Sequence, residues 1–181
     1  MSLRIALLGL LAASGPASGY DLTKKFETSL AYVWQAGHSQ IYPELAKMAA
    51  DGLVSVEAEG TRGRKTYTIT PEGEAELHQW MVERDPVVPL RSESALQAFM
   101  VPLLEPDEAI AVLERMRAGS QARLAQLEAL RETKTAAARL AEAEGRHPDA
   151  FGRYALDLGI RHARTAVEWA SDSIADIRRR T

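Results

Sequence analysis

Between Gly37 and Val54 the chain reads GHSQIYPELAKMAADGLV, and Ser39, Gln40, Pro43 and Lys47 in it have the chemistry to meet the edges of base pairs. Glutamine pairs bidentately with adenine, serine bonds either kind of partner, and lysine takes guanine or a phosphate. Ile41, Leu45, Met48 and Ala49 recur at i, i+4, i+7 and i+8, the spacing of one buried helical face. That spacing turns Ser39, Gln40, Pro43 and Lys47 outward, with no carboxylate at the centre of their face and Glu44 toward its flank. His38 opens the same segment. A plain solvated face is the alternative, but such a face usually mixes charges of both signs.

A second group of cations supports contact with a phosphate backbone. EGTRGRK carries Arg62, Arg64 and Lys65 within four positions, with Gly60 and Gly63 allowing close backbone approach, and Lys24 and Lys25 add two more. The same stretch is no P-loop, because the four residues required between a glycine and Gly-Lys are missing. Residues 1–84 hold 8 Lys and Arg against 10 acids, yet six of those positives fall on these three segments. The net charge of −3 and pI of 5.9 therefore require the positive charge to be clustered.

Composition narrows the alternatives. The chain of 181 residues has no cysteine and no asparagine, which excludes disulfides, thiolate metal sites and N-glycosylation, and favours a reducing cytoplasm. The four histidines, His38, His78, His147 and His162, lie too far apart for a metal motif, and no cofactor motif occurs. Ser14 and Ser171 lie in no catalytic frame and there is no nucleophile elbow, so an enzyme is not expected. The opening MSLRIALLGLLAASG has the outline of a short secretory signal. A buried first helix stopped by Gly15-Pro16 is the preferred reading, because a single positive charge is weak for export. No apolar run reaches the roughly 18 residues of a membrane span.

Those residues need elements to hold them. A second short helix is expected from near Ser18, with Leu22 and Phe26 four apart, followed by a connection in which Tyr32 and Trp34 pack inward. The third helix runs from about Ser39 to Asp51 and is closed by Gly52. Val54, Val56 and Ala58 alternate, as do Tyr67 and Ile69, predicting two strands joined through Gly60 and Gly63. Thr70 and Pro71 start a fourth helix, with Leu77, Trp80 and Met81 as its buried stripe. Three helices, a hairpin and a closing helix form a winged helix-turn-helix over residues 1–85. RDPVVPLRSES then separates it from residues 86–181, which read as helix throughout.

GYDLTKKFE, HSQIYPELAKMAADGLV and GRKTYTITPEGEAELHQWM resemble the PadR family of bacterial transcriptional regulators. The resemblance covers about half of the chain at the level of motifs and the rest in architecture only, as the longer, Vir-type variety with an extended helical C-terminal domain. It implies a homodimer that represses promoters at inverted repeats and responds to small, often aromatic, molecules. It also implies that Tyr20 and Tyr42 lie at or near the DNA side.

In the second half, little breaks a helix from Pro106 to about Glu144 except Gly119, and Leu113, Met116, Leu124, Leu127 and Leu130 form an incomplete seam. A final helix is expected from Pro148. On it Phe151, Ala155, Leu158, His162, Ala166 and Trp169 line one face, and Leu156, Ile160, Val167 and Ile174 nearly the opposite one. A helix with two apolar faces must be covered from two directions. One cover is its own chain and the second most simply a symmetry mate, so the first face is the expected dimer interface. Phe99, Tyr154, His162 and Trp169 are the candidates for an effector pocket. The expectation is a mainly α, DNA-binding repressor; the alternatives are a winged-helix adaptor for proteins and a small secreted helical protein.

Overall fold

A computed structural model describes residues 2–27, 37–59, 64–85, 92–144 and 152–181. It divides into two units, Met1–Val87 and Val88–Thr181.

The first unit runs α1 (Ser2–Ser14), β1 (Ala17–Ser18), α2 (Gly19–Lys25), α3 (His38–Ala50), β2 (Val54–Glu59), β3 (Arg64–Ile69) and α4 (Pro71–Glu83). The apolar run at the start of the chain is a core helix: Ile5, Leu7, Leu8, Leu10 and Leu11 are all buried, and α1 packs on α3 and α4. Leu22 of α2 and Phe26, which caps its C-terminus, close the same core with Ile41, Leu45 and Met48 of α3, each nearly inaccessible to solvent. Gly52 ends α3 at φ +75°, a left-handed backbone that suits glycine.

β2 and β3 pair antiparallel, Val54 opposite Ile69 and Val56 opposite Tyr67. A third strand, β1, joins the outer edge of β3, Ala17 opposite Tyr67. Two residues are too few to show alternation, so the sequence gives no sign of it. Thr70 binds the hairpin to α4: its hydroxyl donates to the Gly52 carbonyl at 2.7 Å and accepts from the Gly73 amide at 3.1 Å.

Two expectations about burial fail. Met81 is 68% exposed and Trp80 only partly buried. Along α4, Gly73 is buried and Leu77 and Trp80 are half-buried, whereas Met81 lies about 40° round the helix from Leu77 and about 100° from Trp80, at the far edge of that side. Val56, on the edge strand β2, is also exposed, although Tyr67 opposite it in the central strand is buried. Tyr32, Trp34 and the Gly60 and Gly63 turn lie outside the described residues.

The second unit consists of α5 (Glu93–Met100), a 3-10 turn (Val101–Leu103), α6 (Pro106–Ala143) and α7 (Arg153–Arg180). At about 1.5 Å per residue α6 is roughly 57 Å long. α7 packs along it in the opposite direction, since Arg164 meets Glu128 at 2.9 Å and Arg178 meets Glu114 at 3.3 Å. Ala109, Leu113, Leu127 and Ala141 are buried from α6, and Leu156, Ile160, Ala163, Ala170 and Ile174 from α7. The start expected at Pro148 is corrected to Arg153: Gly152 precedes the helix at φ +78°, outside helical geometry.

Candidate nucleic-acid interface

On α3, burial of Ile41, Leu45 and Met48 leaves Ser39, Gln40, Tyr42, Pro43 and Lys47 exposed. No acid stands in the helix's first turn. The two acids of this segment, Glu44 and Asp51, are held by one residue of α1. Arg4 Nε donates to Glu44 Oε1 at 2.9 Å, and Arg4 Nη2 meets Asp51 Oδ2 at 2.7 Å. Hydrogen bonding to Glu44 is the main cause that raises the guanidinium pKa above its ordinary value. Sequence reasoning missed this role, treating Arg4 only as the charge before an apolar run.

Beside α3 lies a cavity of about 580 Å³ lined by Ser18, Gly19, Tyr20, Tyr42, Ala46, Lys65 and Tyr67. It gathers one turn of each element that carries a candidate residue: the start of α2, the middle of α3 and strand β3. Ser18 and Asp21 form a capping box, Ser18 Oγ accepting from the Asp21 amide at 3.2 Å. S-x-x-D at Ser18 to Asp21 was a readable signal for that cap. Gly19 permits the closest approach: a Cβ there would stand 2.6 Å from Tyr42 Cε1. The Tyr42 ring thus lies on the α2 backbone, with Tyr20 62% exposed nearby. Burial, and then the neighbouring Tyr42, push the Tyr67 phenol pKa up. Lys24 is exposed, Lys25 half-buried and Lys65 exposed. Arg62 and the side chains of His38 and Arg64 lie outside the described residues.

In the second unit, α6 covers the Leu156–Ile174 face of α7. On the opposite side Leu158 is 54% and Trp169 41% exposed, with His162 exposed and Ala155 half-buried. Phe151 lies outside the described residues. Tyr154 lines a groove of about 440 Å³ with Arg131, Lys134 and Arg153, and Arg153 lies 5.7 Å from the centre of the tyrosine ring. Phe99, on α5, is exposed, and neither it nor His162 nor Trp169 lines that groove. Among the described residues no group of acids and histidines could hold a metal ion, and no helix is long and apolar enough to cross a membrane.

The family model of PadR-like transcriptional regulators matches residues 7–79, and that of the virulence activator alpha C-terminal region matches residues 90–178. The negative transcriptional regulator PadR of Bacillus subtilis (strain 168) is 34% identical over 180 residues, spanning 97% of both chains. The chain belongs to the PadR-like family of transcriptional regulators. Solved PadR structures extend the likeness to three dimensions. B. subtilis PadR in complex with operator DNA superposes with a TM-score of 0.81 at 31% identity, covering 98% of this chain and 99% of that one. PadR in complex with p-coumaric acid gives the same TM-score and identity over 97% and 95%. The Vibrio cholerae virulence activator AphA shares the PadR-like fold, with a TM-score of 0.75 at 23% identity over 99% of each chain.

Proposed function

We propose that this PadR-like regulator is a repressor that grips an inverted repeat as a homodimer, the first unit binding DNA and the second holding the two copies together. α3 enters the major groove with Ser39, Gln40, Pro43 and Lys47 toward the base edges and His38 at its start. Arg62, Arg64 and Lys65 of the wing, Lys24 and Lys25 of α2, and Tyr20 and Tyr42 face the backbone. The observation that carries this reading is the acid-free outer face of α3, whose flanking carboxylates are engaged by Arg4. The B. subtilis relative solved on operator DNA adds support.

The dimer uses Ala155, Leu158, His162 and Trp169, on the side of α7 opposite its α6-facing residues, together with Phe151, which precedes α7 in sequence. A small aromatic acid releases the DNA, in keeping with the relative bound to p-coumaric acid. Of the aromatic candidates Phe99, Tyr154, His162 and Trp169, Tyr154 has the setting that suits an aromatic carboxylate: Arg131, Lys134 and Arg153 line its groove against one acid, Asp157, which is paired with Arg161. Such a ligand acts only by binding the DNA-free state more tightly.

Footprinting of the purified protein on DNA upstream of its own gene tests the proposal. A protected site with two-fold symmetry, lost when an aromatic acid is added, is the expected result. Absence of any protected site at low salt overturns the repressor reading, and a site insensitive to aromatic acids removes the effector.

A further inference from the structure

Lys47 lies three residues after Glu44 and four before Asp51, the two spacings at which opposite charges pair along a helix. A lysine so flanked would ordinarily be drawn to its own helix. Instead both acids are taken by Arg4, at 2.9 and 2.7 Å, and Lys47 makes no ion pair among the described residues. Glu44 and Asp51 are two turns apart, about 10.5 Å along the axis. One guanidinium serves both because its planar fork offers separate nitrogens; an ammonium is a single point charge. The Arg4 and Glu44 side chains are 25% and 20% exposed, so solvent and salt screen this pair less than a free surface pair.

We propose that Arg4 is an electrostatic positioning residue for the reading helix: by holding Glu44 and Asp51 it keeps both acids from Lys47 and leaves that ammonium for DNA. The inference rests on α3 being the DNA-facing helix. Freed acids act against binding twice, by capturing the lysine and by repelling phosphate.

Three variants test it: Arg4→Gln, Glu44→Gln with Asp51→Asn, and all three changes together. Each is titrated by fluorescence anisotropy, over a range of salt, against the duplex that footprinting protects. Arg4→Gln weakens binding about three- to tenfold near 150 mM salt and lowers the salt slope by about 1, the share of one phosphate contact. The triple variant returns to within about twofold of the parent. Both variants lacking Arg4 lose the same bridges, and thermal melts check that each is folded, so the charge on the two acids is what separates their affinities. A triple variant as weak as Arg4→Gln means that Arg4 acts through packing and overturns the proposal, as does an Arg4→Gln variant that binds like the parent. If Arg4→Gln does not fold, Arg4→Lys carries the test. Its ammonium holds one acid, so it binds more weakly than the parent and recovers when Asp51→Asn is added; no weakening, or no recovery, overturns the proposal. A parent protein that binds no duplex at low salt sinks the DNA reading itself, and this inference with it.

Discussion

Gly73 shows how one missing side chain sets the geometry around it. A Cβ there would run into the Leu53 carbonyl oxygen and press on Ile69 and Leu8. Backbone cannot yield as a flexible side-chain tip can, so Gly73→Ala should destabilise the fold by about 1–3 kcal/mol, measured by urea denaturation. An unchanged midpoint would mean that α4 shifts freely. Tyr67 gives a prediction in pH. Its phenol pKa is raised by burial, so the folded chain keeps a proton that the unfolded chain gives up first. Stability from this group is complete below about pH 10 and falls as pH rises through the shifted value. Denaturation midpoints should therefore drop more steeply above about pH 10 in the parent than in Tyr67→Phe. Parallel curves would show that the phenol is not held neutral. Single residues were the hardest to read from sequence. The outward set on α3 followed from period alone, whereas Arg4 and Gly19 act through contacts with distant parts of the chain, Glu44 and Tyr42, that no local pattern encodes.

Elements were more legible, since each is written in local spacing. The start of α4 follows from Thr70-Pro71 and the end of α3 from Gly52, and both hold in the structure. The expected breadth of buried stripes was less secure. Met81 fits the period of α4, but among the described residues of the first unit nothing buries it, and it is 68% exposed. β1 escaped notice because it borrows its hydrogen bonds from β3 and has no pattern of its own. α7 shows most clearly how period becomes packing: of Leu156, Ile160, Val167 and Ile174, read as one face, all are buried except Val167, which is half-buried. Ile160 is 1% exposed, so Ile160→Ala leaves a cavity against α6 and should cost about 2–5 kcal/mol in denaturant unfolding. A loss below about 1 kcal/mol would indicate that the two helices close around the gap.

For the whole molecule, the other face of α7 decides the argument. Leu158 and Trp169 lie exposed on a helix whose opposite side is already satisfied by α6, and an uncovered apolar stripe of this kind offers a surface to a partner. The proposed dimer would cover both at once, because across a two-fold axis the same patch meets itself. Reading an inverted repeat demands the same symmetry, since two copies of α3 must reach half-sites about 34 Å apart, one turn of the duplex. In the proposed dimer, Trp169→Asp would place a charge in that patch in each copy, setting two carboxylates against an apolar surface. Sedimentation velocity should show the parent as a dimer and the variant as a monomer. Circular dichroism should be unchanged, because Trp169 is 41% exposed whereas Ile160 and Ile174, on the face toward α6, are buried. The monomer should also protect DNA weakly and without two-fold symmetry, since each half-site alone provides only one set of contacts. A variant that remains dimeric moves the interface off this face of α7, and the exposed stripe then needs another partner.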